Sequence, residues 1–155
     1  MKTISKKLNK WYNKNNFLFP WRQNTNAYNI WISEIMLQQT QVNTVVAYYN
    51  KWMEVLPTIS QLALADIEKI LKLWEGLGYY QRAHNIHESA KILVKKHDSI
   101  IPNNYIDLID LRGIGDYTAS AILSIAYAQK YPAIDSNLKR VISRLAGISN
   151  SRNII

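Results

Sequence analysis

The chain has 155 residues, 48% of them apolar and 19% charged, which suits one domain with its own core and excludes a disordered chain. No apolar run approaches the roughly 18 residues of a membrane helix. There is no cysteine, so disulfides, a thiolate zinc site, a thiol nucleophile and a cysteine-held iron–sulfur cluster are excluded within these residues, and nineteen Lys and Arg against eleven Asp and Glu leave a charge of +8.

Met1 to Asn16 alternates Lys and Asn with single apolar residues and lacks the apolar stretch of a secretory signal. Lys6 to Asn13 reads as a short helix, broken at Phe17-Leu-Phe-Pro-Trp21. Tyr28 to Leu37 carries a helical stripe of Tyr28, Trp31, Ile32, Ile35 and Met36. A second stripe of Val42, Val45, Val46, Tyr49, Trp52, Met53 and Leu56 ends at Pro57. Thr58 to Ala65 gives a short helix, Asp66 stands at the N-cap position of Ile67 to Trp74, and Gly76-Leu77-Gly78 closes it. Tyr80 to Lys96 follows, with Ala83, Ile86, Ala90, Leu93 and Val94 facing inward. Tyr105 to Leu111, a Gly113-Ile114-Gly115 turn and Tyr117 to Ala128 form a helix–hairpin–helix, and Asp135 to Ala146 is the last helix. With no period-2 strand and no repeat, the expected fold is all-α, in a single domain over residues 1–155.

Charge is concentrated at the ends. Residues 1–33 hold six basic residues and no acid, residues 136–155 hold four and no acid, and the middle is nearly balanced. Such a distribution suits a polyanion, most simply a nucleic-acid backbone, although a solvated basic surface fits it equally.

Leu111-Arg-Gly-Ile-Gly-Asp-Tyr-Thr-Ala119 places two glycines where backbone amides could approach a phosphate ahead of a helix N-terminus. An ordinary tight helix connection has the same pattern. Glu34 lies in the apolar run Ile32-Ser-Glu-Ile-Met-Leu37, where burial would raise its pKa and suit it to donate a proton. Asp135 stands at a helix start, where negative charge is favoured. One protonated and one charged carboxyl group form the pair that glycosidic cleavage needs, yet Asp135 could equally be a plain N-cap and Glu34 a surface residue. Gln38, Gln39, Thr40 and Gln41 set amides and a hydroxyl between two apolar helices, as caps or as groups that enter a duplex. Tyr79 and Tyr80 beside a glycine turn suit a wedge or stacking platform, or core packing for one of them. His84, His87 and His97 have no third ligand at a helical offset and read as surface or phosphate-facing side chains.

Together, Pro20-Trp-Arg22, Trp31-Ile-Ser-Glu-Ile-Met-Leu-Gln-Gln-Thr-Gln-Val42, Trp74-Glu-Gly-Leu-Gly-Tyr-Tyr80, Leu111 to Ala119 and Ile134-Asp-Ser-Asn-Leu-Lys-Arg-Val141 resemble the helix–hairpin–helix DNA glycosylases, most closely the MutY-type adenine glycosylases. The strings follow the family's order from about residue 5 to 150. The resemblance implies removal of adenine mispaired with 8-oxoguanine or guanine in double-stranded DNA. Glu34 would protonate the leaving base, Asp135 would stabilise the oxocarbenium-like sugar, and Asn137 would support the site. Trp21 and Arg22 match the base pocket, Gln39 the residue inserted into the stack, Thr40 a neighbour of the oxidised guanine and Tyr79 the wedge. Gln38 and Lys139 join the DNA-binding set. Gly113 and Gly115 would hold phosphate, with a monovalent cation on the turn's carbonyls. Tyr117 stands where bifunctional lyases carry a Schiff-base lysine, which implies a monofunctional enzyme that leaves an abasic site.

The family's chains continue past Asp135, finish the helical core, add four cysteines that bind a 4Fe–4S cluster and add a domain that helps read 8-oxoguanine. None of these cysteines is present here, so no cofactor is expected on these residues. Phe17 also occupies a position where the family commonly has a basic side chain. A thymine mismatch glycosylase of the same fold and a non-catalytic DNA-binding remnant remain alternatives. Residues Asp135 to Ile155, with Leu138, Val141, Ile142 and Leu145, are expected to lack their covering helices and to pack loosely. The expected location is cytoplasmic and, in a bacterium, nucleoid-associated, with no membrane partner and the oligomeric state left open.

Overall fold

A computed structural model describes residues 2–15 and 19–148. Phe17 and the basic Arg152 therefore lie outside the described residues. The described chain is helical, with no strand among those residues. The helices are α1 (Lys2–Asn15), α2 (Ala27–Leu37), α3 (Val42–Val55), α4 (Ile59–Leu64), α5 (Ile67–Trp74), α6 (Gln81–Lys96), α7 (Tyr105–Ile109), α8 (Asp116–Ala126) and α9 (Ser136–Ala146), with a single 3₁₀ turn at Pro20–Arg22.

α2 is the centre. Its sequence is mostly apolar, and Tyr28 and Ile30 to Met36, Ser33 and Glu34 included, are all buried, where the spacing alone predicts one buried stripe. A helix with apolar residues spread around its circumference has to be covered on several sides. α3, α6 and α8 pack against it. Asn26 starts α2 by accepting the amides of Tyr28 and Asn29 on its side chain. Trp31, Trp52 and Trp74 are fully buried, and the Trp52 and Trp74 rings meet edge-on at 5.6 Å. The Tyr28 hydroxyl accepts the Trp52 indole N–H at 3.1 Å and donates to the Leu56 carbonyl at 2.6 Å, tying α2 to the end of α3.

Several local expectations differ from the structure. α1 runs well beyond Lys6–Asn13, yet its residues 3–15 are exposed. Asp66 occupies the N-cap position of α5 without a side-chain cap bond. Val94 is exposed, whereas Ala83, Ile86, Ala90 and Leu93 face the core. His87 is buried and not surface-facing, because α4 packs on α6 and the Ala63 and Ala65 backbone meets the imidazole. Tyr80 is exposed along with Tyr79, so neither tyrosine packs in the core.

α9 buries only Ser143 among its residues. Leu138, Val141 and Leu145 are exposed and Ile142 is half-buried, in line with loose packing of this helix.

Candidate active site

Glu34 is 7% exposed and is the only buried carboxylate among the described residues. It lies on the face of α2 that meets α8. Burial pushes its pKa above the usual carboxylate range, against opposing pulls from the Arg22 guanidinium and a hydrogen bond from Tyr117. Tyr117 sits in the first turn of α8, half-exposed, and donates its hydroxyl hydrogen to Glu34. Its own pKa is raised to about 12, by burial first and then by the negative charges of Glu34 and Asp135. The phenol stays protonated at neutral pH and remains a donor.

Asp135 is thus brought near the same tyrosine from the start of α9. It is an N-cap as well: one carboxylate oxygen accepts the Leu138 amide at 2.7 Å and the other accepts the Asn137 side-chain amide at 3.1 Å. The two readings of this residue coexist, since capping fixes the carboxylate without consuming all its lone pairs. Lys139 is half-buried on the next turn.

Beside Glu34 lies a cavity of about 190 Å³ lined by Tyr12, Trp21, Arg22, Ser33, Glu34 and Ile125 together with Asn24, Thr25 and Ile30. Trp21 forms a wall of it. The indole is buried, stacked on Phe19 at 5.2 Å and edge-on to Tyr49 at 5.3 Å, so it shapes the cavity and is not a free side chain. Arg22 is exposed at the rim, where it donates to the Tyr12 hydroxyl at 3.3 Å.

The second group of residues lies on two neighbouring loops. Gln38 caps the C-terminus of α2 and donates through its side chain to the Thr118 hydroxyl at 3.4 Å, one residue from Tyr117. Gln39 is exposed and has φ of 58°, and Tyr79 is 62% exposed with φ of 50°. Both are non-glycine residues in the left-handed region, a conformation that persists only where the surroundings enforce it. Between the loops lies Arg82, which the sequence reading did not single out. The signal was present: Arg82 falls in register with Ile86, Ser89 and Leu93 on the buried side of α6.

The hairpin supplies the third group. Ile114 and Leu111 are buried as anchors, and the Ser89 hydroxyl donates to the Arg112 carbonyl at 3.1 Å. Gly113 has φ of +80°, and a Cβ there would meet the Asn85 side chain at 3.1 Å, so any other residue is strained at this position. Gly115 differs. Its φ is ordinary and a Cβ would meet nothing within 4 Å, which leaves its face open to a ligand.

The iron–sulfur cluster implied by the resemblance finds no cysteine ligand in these 155 residues, so none of the residues present would hold it. Among the described residues no cluster of three or more His, Asp and Glu is placed to hold a metal ion, and no helix is long and apolar enough to cross a membrane.

Residues 32–154 match the family model of the HhH-GPD superfamily base excision DNA repair proteins. The chain is 46% identical over 140 residues to the adenine DNA glycosylase of Buchnera aphidicola (subsp. Acyrthosiphon pisum, strain APS), covering 90% of this chain and 40% of that protein. It is 41% identical over 147 residues to the adenine DNA glycosylase of Homo sapiens, covering 89% of this chain and 27% of that protein. The chain thus spans about two-fifths or less of these relatives. Among solved structures, a thermostable thymine-DNA glycosylase superposes with a TM-score of 0.89 at 27% identity, over 99% of this chain and 70% of that one. A non-covalent endonuclease III–DNA complex superposes with a TM-score of 0.79 at 21% identity, over 94% and 68%, a likeness of fold.

Proposed function

The chain belongs to the HhH-GPD superfamily of base excision DNA repair proteins, and on that premise we propose that it removes adenine mispaired with 8-oxoguanine or guanine from duplex DNA. The observation that carries this reading is the Glu34–Tyr117–Asp135 arrangement. A buried carboxyl group with a raised pKa and a capped carboxylate approach one tyrosine from opposite elements.

The chemistry follows from their different surroundings. The target base leaves the stack and enters the cavity beside Glu34, with Trp21 as its wall and Arg22 at its rim. Protonated Glu34 gives its proton to the adenine ring as the bond from the sugar C1′ to the base nitrogen breaks. The electron pair of that bond leaves with the base. Asp135 faces the positive charge that develops on the sugar, with Asn137 and the Leu138 amide holding it in place. Water then adds to C1′ and gives up a proton, leaving an abasic site. No lysine stands at Tyr117, so strand cleavage through a Schiff base has no nucleophile at that position.

DNA is held elsewhere. The hairpin at Gly113 and Gly115 takes phosphate, and the basic residues, Lys139 among them, supply the sequence-independent attraction. The Leu111 and Arg112 carbonyls each accept one hydrogen bond and keep a second lone pair, which suits a monovalent cation in the turn. Gln38, Gln39, Thr40 and Tyr79 read the mispair. The proposed location is beside the nucleoid in a bacterial cytoplasm.

Thymine release at T·G mispairs is the second reading, favoured by the 0.89 TM-score to a thymine-DNA glycosylase. Single-turnover base release on A·8-oxoG, A·G and T·G duplexes separates the two, using this chain and this chain joined to the C-terminal region of a relative. Adenine release without thymine release supports the proposal. Thymine release, or tight DNA binding with no release by either protein, overturns it.

A further inference from the structure

Arg82 is 8% exposed and makes no ion pair among the described residues. A buried guanidinium without a counter-ion depends on hydrogen bonds, and here two separate loops supply them to both terminal nitrogens, while the buried Nε has no partner. One terminal nitrogen donates to the carbonyls of Ile35 and Met36, both at 3.0 Å, and of Gln38 at 2.5 Å. The other donates to the Thr40 hydroxyl at 3.2 Å and to the carbonyls of Leu77 and Gly78, both at 3.1 Å. The planar group lies 5.3 Å from the centre of the Trp74 ring and 5.5 Å from that of Tyr79.

These partners bracket two residues. Gln38 and Thr40 flank Gln39, and Gly78 precedes Tyr79. Gln39 and Tyr79 share the uncommon left-handed backbone and expose their side chains. Neither conformation is favoured by its own residue type, so each has to be held from outside. Among the described residues, the only side chain bonded to both loops is that of Arg82. Lysine could not replace it, because one ammonium group is a single point and cannot face both loops at once.

We propose that Arg82 is a positioning residue that sets the relative placement of Gln39 and Tyr79, and so sets the preference for a lesion mispair without touching DNA. The proposal rests on the reading that those two residues meet the mispair. A role in stability alone would lower affinity for all duplexes together.

The test compares dissociation constants for a matched duplex and the same duplex carrying A·8-oxoG, using the whole 155-residue chain below its melting temperature. Arg82→Lys should keep matched-duplex affinity within about twofold and lose most of the mispair preference. Combining it with Gln39→Ala should cost no more preference than either change alone, since both disable one unit. If Arg82→Lys does not fold, Trp74→Phe decides. It keeps a ring under the guanidinium but deletes the 3.1 Å indole bond to the Gly78 carbonyl, and should erode preference in part. Full preference in whichever variant folds, equal losses on both duplexes, or additive losses with Gln39→Ala would overturn the proposal. If the unmodified chain shows no preference for the mispair, the reading that Gln39 and Tyr79 meet the mispair fails and Arg82 falls with it, while adenine release is judged separately by the base-release assay.

Discussion

Tyr117 donates a hydrogen bond to Glu34 from the first turn of α8, so the least solvated carboxyl group of the described chain is held by a side chain next to the hairpin. The same α8 N-terminus follows Gly115. The glycine turn proposed to take phosphate and the tyrosine that bonds the proposed acid therefore share one short stretch of backbone.

Glu34 should cost stability at neutral pH. Its folded pKa is raised above the unfolded value, so its contribution is most favourable below the ordinary carboxylate pKa and is lost as pH rises through the folded one. Glutamine keeps the shape and does not titrate. Glu34→Gln should therefore melt above the parent at pH 7–8, with each kcal/mol gained worth about 2–4 °C in a domain of this size. Below about pH 4 the difference should close. Melting curves across pH check this, and a variant less stable at pH 8 than the parent would contradict it.

Tyr117→Phe removes the donor that lowers the Glu34 pKa. The protonated acid should persist to higher pH, and the alkaline limb of base release should move upward with it. Single-turnover rates from pH 6 to 9 measure the shift. A limb that stays in place would mean that the hydrogen bond does not govern the acid.

The two hairpin glycines should part company. Gly113→Ala places a Cβ at φ of +80° against Asn85 and should lower stability by about 1–2 kcal/mol. Gly115→Ala has open space and ordinary φ, so its melting temperature should match the parent while affinity falls for every duplex. Thermal melts paired with binding curves distinguish the cases. Unchanged affinity in Gly115→Ala would remove the phosphate from that face.

α9 should exchange its amides much faster than α2 and α3, because it buries only Ser143 while Leu138, Val141 and Leu145 stay exposed. Asp135 rides on this helix, so warming should abolish base release before it abolishes DNA binding. Hydrogen exchange with equal protection in residues 136–146 and 28–55 would refute this.

Much of the site is legible in the sequence because it depends on chain-local features. Glu34 stands out as an acid among apolar neighbours, Asp135 as an acid at a helix start, and the glycine turn by its spacing. What escapes is contact between distant segments. Nothing local says that Trp21 packs on Phe19 and Tyr49, that His87 is covered by α4, or that Tyr117 bonds to a residue 83 positions earlier. Arg82 is the clearest case. Its position on the buried stripe of α6 is visible, but its role requires two loops that only the folded chain brings together.

The central claim is that Glu34 delivers the proton that releases adenine. It is tested most directly by the single-turnover rate of adenine release from an A·8-oxoG duplex by this chain joined to the C-terminal region of a relative, with and without Glu34→Gln. The account predicts a fall of about 10²–10⁴-fold with duplex affinity nearly unchanged. Release at the parental rate would contradict it and leave Glu34 as a structural residue.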